Sequence, residues 1–107
     1  MTKQELKDYP YLAPAIERYE KELTELSADY KRNEKYIIEL QTKIKDYRER
    51  LHNCELFFES IEDIQTRLIF ELRYIHLMKW EDIAGYIGTD KSSDAIKMKC
   101  LRYLKKH

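Results

Sequence analysis

Glycine and proline are nearly missing from this chain of 107 residues, with two of each, and cysteine is no commoner. So few backbone breakers in a chain with 37% charged residues exclude a strand-and-turn architecture and point to an almost wholly helical protein. Two glycines cannot build a phosphate-cradling loop, which excludes the common nucleotide-binding motifs. Cys54 and Cys100 lie far apart on apolar stripes, the pattern of reduced core residues rather than a disulfide framework. His52 stands two residues from Cys54, but no second pair of thiols or imidazoles completes a four-ligand zinc site, and His76 and His107 are isolated. No apolar run approaches the ~20 residues of a membrane helix and no signal peptide is visible. The expectation is a cytoplasmic protein with no metal, no cofactor and no membrane contact. No nucleophile, base and orienting group can be assembled, so an enzyme is not expected.

A net charge is missing too, since Lys+Arg and Asp+Glu both number 20, but the two signs are unevenly spread. Residues 88–107 hold six basic against two acidic side chains, a local charge of +4. Residues 15–62 hold nine against twelve, a local charge of −3. A basic end on a neutral chain is a candidate phosphate-binding surface.

What is present is helical periodicity. Thr2 and Glu5 have capping-box spacing, so a short helical leader is expected over 1–13, broken at Tyr9-Pro10. Pro14 suits the first position of the next helix. From Ile16 apolar residues recur by steps of three and four through Tyr19, Leu23, Leu26, Tyr30, Ile37, Leu40, Ile44, Tyr47, Leu51, Cys54, Phe58 and Ile61, with Asn33 the one interruption. This spacing predicts a coiled-coil helix over 14–62, about 70 Å long at ~1.5 Å per residue. Such a stripe needs a partner. Antiparallel pairing opposes Glu22 to Arg50, Asp29 to Lys43 and Glu20 to Arg48, whereas parallel pairing sets like charges together. The same complementarity arises if the helix folds back near Asn33–Tyr36. The unbroken phase and the lack of glycine favour an antiparallel homodimer through Leu23, Leu26, Tyr30, Ile37, Leu40, Ile44, Tyr47 and Leu51.

Beyond a weak cap at Ser60–Asp63, Ile64, Leu68, Leu72 and Ile75 supply the stripe of another helix, expected to pack on two that follow. Trp80, Ile83, Ala84 and Ile87 form one face of a short helix that Gly88 ends in a left-handed position. After the polar turn Thr89-Asp90-Lys91-Ser92, a second stripe runs through Ile96, Cys100, Tyr103 and Leu104. The expected architecture is all-α: a long coiled-coil-forming helix, then a small trihelical helix-turn-helix domain over 63–107. Two helices joined by a short glycine-bearing turn place the second in a major groove.

Leu72-Arg73-Tyr74, Trp80-Glu81-Asp82-Ile83-Ala84 and Ile87-Gly88 follow, in order, the pattern of the fourth conserved region of bacterial sigma factors. Within that pattern the last third of the chain most resembles small phage-encoded sigma-like regulators of late transcription, of the ArpU and RinA types. Lys79 departs from it, standing where a Ser or Thr cap is usual, and the turn is longer. The resemblance implies a phage or prophage transcription regulator that binds double-stranded DNA, with RNA polymerase as a possible second contact. Lys91, Ser92, Ser93, Asp94 and Lys97, at the start of the second motif helix, are the candidates for base edges, and Lys99, Arg102, Lys105 and Lys106 for phosphates. Two rivals stand beside it: a small-terminase-like packaging subunit, and a coiled-coil interaction protein whose motif binds protein, since Asp90 and Asp94 repel phosphate.

Overall fold

Thr2 opens the first helix of the computed structural model, which describes residues 1–88 and 90–107; the turn residue Thr89 lies outside them. The hydroxyl of Thr2 accepts from the Glu5 amide at 3.1 Å, and the Glu5 carboxylate accepts from the Thr2 amide at 3.2 Å. This capping box starts α1, Lys3–Leu26, which runs straight through Pro10 and Pro14. The expected break at Tyr9-Pro10 does not occur. Each proline forgoes one helical hydrogen bond, at a local cost of about 3 kcal/mol. Burial of Leu6, Leu12 and Ile16 opposes that cost, as does the edge of Tyr9 against Phe58, with ring centroids 5.3 Å apart.

A single 3-10 turn, Ser27–Asp29, separates α1 from α2, Tyr30–Ser60. Asp29, at φ −130° and ψ 76°, leaves the helical region, and the chain reverses there without glycine. Ser27 donates to the Leu23 carbonyl at 2.7 Å, and the Asn33 amide donates to the Leu26 carbonyl at 3.1 Å. The one polar interruption of the apolar series thus ties off the end of α1.

The two arms pack antiparallel within one chain. Glu20 pairs with Arg48, Tyr19 meets Tyr47 at 5.8 Å, and the Cys54 thiol reaches the Glu5 carbonyl at 3.6 Å. This corrects both the continuous helix and the reason for a homodimer. The seam expected between two chains is covered by the chain's own α1, because helical growth through the prolines makes that arm long enough. Ile37, Leu40 and Ile44 are buried in the hairpin, Leu23, Leu26, Tyr47 and Leu51 half-buried, and Tyr30 lies exposed beside the turn. Of the expected charge pairs Glu20–Arg48 forms, while Arg50 turns to Asp46 at 3.0 Å and Lys43 lies over the Tyr19 ring at 5.3 Å.

Three shorter helices follow: α3, Ile64–Tyr74; α4, Trp80–Ile87; and α5, Ser93–Lys106. Asp63 caps α3, its carboxylate accepting from the Thr66 amide at 2.9 Å and the Thr66 hydroxyl at 2.7 Å. These bonds, made to the charged form, hold the Asp63 carboxyl below its usual range. The three helices touch one another pairwise, and α3 also touches both arms of the hairpin. Ile69, Phe70, Leu72, Tyr74, Ile83, Ile96 and Cys100 form one core with Leu6, Cys54, Phe57, Phe58 and Ile61. Phe57 of α2 is the junction, 5.4 Å from Phe70 and 6.0 Å from Tyr103.

The buried face of α3 differs from the expected one. Ile64, Leu68 and Ile75 are 83%, 37% and 38% exposed, and of that stripe only Leu72 is buried. Thr66, Ile69, Phe70 and Tyr74 face inward instead. The rings of Phe70 and Tyr74 stack on each other at 5.9 Å, and Phe70 also meets Phe57 and Tyr103, so the larger aromatic area sets the rotation of the helix. No strand occurs among the described residues, and none of their helices is long and apolar enough to cross a membrane.

Candidate nucleic-acid interface

The connection that positions α4 is built on Arg73. Its guanidinium donates to the Met78 carbonyl at 2.9 Å and lies 4.7 Å from the centre of the Trp80 ring. Between them Leu77 takes a left-handed conformation with φ 58°, which a branched side chain rarely adopts. The Met78 amide returns to the Leu72 carbonyl at 3.0 Å and closes the loop. Leu72, Arg73, Tyr74 and Trp80 are therefore one mechanical unit, with Tyr74 buried deeply enough to push its hydroxyl pKa up.

Lys79 occupies the N-cap of α4 and supplies no side-chain bond, as its residue type requires. At the other end Gly88 adopts φ 70° and ψ 31°, the left-handed C-cap its position predicts. Ser92 then caps α5, its hydroxyl accepting from the Ala95 amide at 3.2 Å. Helix α5 begins at Ser93, where a helix is expected to start near Ser92 or Ser93.

Along α5 the inward side carries Ile96 and Cys100, with Tyr103 and Leu104 packed against the same core. Burial pushes the Cys100 thiol up to about 12 and Cys54 to about 11, so both are inert packing groups. The basic residues do not form one patch. Arg102, Lys105 and Lys106 are exposed near the C-terminal end, and Lys91, Ser92 and Asp94 are exposed around its start. Ser93 and Lys97 are half-buried. Lys99 is turned to the opposite flank, where its ammonium donates to Gln65 of α3 at 2.9 Å. Arg102 lies back along its own helix, donating to the Met98 carbonyl at 3.3 Å. With five basic side chains and one acidic, α5 keeps a local charge of +4.

The chain matches no family model, no curated protein and no solved structure.

Three features escaped the periodic reading. Met98, 51% exposed, occupies the middle of the outward face of α5, one turn from both Asp94 and Arg102. Tyr86 projects from α4 into solvent. The Arg73–Trp80 stack joins α3 to α4 across the loop between them. Only Met98 left a sequence signal, its i,i+4 spacing to the polar face. Elsewhere an open trough runs between the hairpin arms, lined by Leu23 and Ile44 with Glu20, Arg48 and His52 at its edges. Among the described residues no three His, Cys, Asp or Glu side chains gather as a metal site.

Proposed function

We propose that this protein is a DNA-binding transcription regulator, in which α4, the Gly88 turn and α5 act as a helix-turn-helix on a three-helix core. One observation carries the reading: α5 begins at a capped, exposed terminus and presents Arg102, Lys105 and Lys106 to solvent, while its other side is anchored in the core. Ser93, Asp94 and Lys97 are then the groove-facing residues, flanked by Lys91 and Ser92 at the turn. Arg102, Lys105 and Lys106 take phosphates. Lys99, held by Gln65, positions α5 on α3 instead of contacting DNA. The resemblance of the segment from Leu72 to Gly88 to sigma region four supports a promoter-proximal role, with RNA polymerase as the further contact.

Fluorescence anisotropy on duplex DNA across a salt series tests this. Arg102→Ala and Lys105→Ala should weaken binding to every sequence and each lower the salt slope by about 0.9. Ser93→Ala or Lys97→Ala should chiefly reduce discrimination, by ~1–3 kcal/mol for a lost base contact. A second reading, in which α5 binds a protein, is favoured by Met98 standing exposed between Asp94 and Arg102. It replaces the first if all four variants bind DNA as the parent does at low salt.

A further inference from the structure

Helix α3 is apolar on two sides. Ile69, Phe70 and Tyr74 fill the core from one of them. On the other, Ile64, Leu68 and Ile75 form a second stripe in solvent, and Ile64 is the most exposed large apolar side chain among the described residues. A second apolar stripe on a helix is penalised by water as long as it stays uncovered. The hairpin, α4 and α5 occupy the inner side, so the outer stripe is left for a partner.

The charges beside that stripe identify the partner. On the outward side of α3 itself they are one arginine and one glutamate, Arg67 and Glu71, paired along the helix at 2.9 Å and both partly exposed. Their sum is zero, which gives duplex DNA nothing to bind. Their order matters more. Turning a second α3 antiparallel about a two-fold axis at the level of Ile69 sets Arg67 against the partner's Glu71, and Glu71 against the partner's Arg67. The same operation brings Ile64 level with the partner's position 74, one residue short of its Ile75, and sets the two Leu68 side chains beside the axis. A closed two-fold contact requires such a self-complementary surface.

We propose that the solvent face of α3, Ile64, Leu68 and Ile75 with the Arg67–Glu71 pair, is a self-association surface that docks a second copy of this chain. The outward face of α5 takes no part, so this surface stands whether or not α5 binds DNA. A helix of 11 residues makes a small interface, so the dimer is reversible and concentration-dependent.

Sedimentation velocity of the full chain should show a monomer–dimer equilibrium below about 1 mM. The doubly substituted Ile64→Asp/Leu68→Asp protein should raise the Kd roughly 100-fold or more by burying unpaired carboxylates, and should keep its helical circular dichroism because both positions face solvent. Arg67→Glu and Glu71→Arg should each weaken self-association about tenfold. Mixing these two variants should restore the parental affinity, since each then meets its opposite. A parent that stays monomeric at about 1 mM, or a double Asp variant that dimerises as the parent does, overturns the proposal. So does a mixture of charge variants that recovers nothing.

Discussion

Truncating Phe57 to alanine separates a shared core from two independent units. Phe57 belongs to the hairpin, yet its ring lies 5.4 Å from Phe70 of α3, 6.0 Å from Tyr103 of α5 and 6.0 Å from Phe58. It is 8% exposed, so its removal leaves a cavity at the junction of three helices. Loss of a buried phenylalanine costs about 3–5 kcal/mol, and this figure already contains the edge-to-face terms. A domain of this size is stable by about 5–15 kcal/mol, so the substitution should remove about a fifth or more of the total. With a urea slope of roughly 1.5 kcal/mol/M, the midpoint should fall by about 2–3 M. Two probes report on the two halves. The single tryptophan, Trp80, sits in α4, whereas far-ultraviolet circular dichroism is dominated by α1 and α2. In a shared core both signals move together to the lower midpoint. Tyr36→Ala, at an exposed site on α2, should change stability by less than about 0.5 kcal/mol. A Phe57→Ala protein whose tryptophan transition shifts while its circular dichroism does not would refute the single core.

The thiols give a pH signature. With burial raising Cys54 to about 11 and Cys100 to about 12, both thiols stay protonated at pH 8, so Ellman's reagent should label the native protein slowly and the urea-unfolded protein at once. Because the folded values lie above the ordinary value of 9.0, the unfolded chain releases these protons first, and stability should fall as pH rises through 9 towards 11 and 12. The two glycines should respond oppositely to alanine. An added Cβ meets nothing within 4 Å at either, so Gly85→Ala should stabilise α4 by roughly 1 kcal/mol, whereas Gly88→Ala, at φ 70°, should cost about 1 kcal/mol. Arg73→Met should lose the Met78 bond and the Trp80 stack, costing about 1–2 kcal/mol and speeding hydrogen exchange of the Met78 amide; protection equal to the parent's would show that Arg73 does not hold the loop.

Much of this molecule was written in the order of its residues. The Thr2–Glu5 capping box and the left-handed Gly88 are local rules, each settled by neighbours within a turn or two, and both recur in the structure; the step-three-and-four stripe from Ile16 to Ile61 recurs only in part, cut by the reversal at Ser27–Asp29 with Tyr30 left exposed. The concentration of basic residues after Gly88 is likewise a property of the chain itself. Tertiary packing decided the rest. Periodicity says which side of a helix is apolar, not what covers it, and the charge match of Glu20 with Arg48 serves a folded-back arm as well as a second chain. The reversal at Ser27–Asp29 needs no glycine, only one residue leaving the helical region, so it carries no compositional mark. Pro10 and Pro14 stay helical because burying Leu6, Leu12 and Ile16 opposes a local penalty that sequence rules count alone. In α3 both faces are apolar, and the large rings of Phe70 and Tyr74 took the inner one. That left Ile64, Leu68 and Ile75 in water, and turned Lys99 of α5 towards Gln65, because contact area with the rest of the fold, which no single segment contains, sets a helix's rotation.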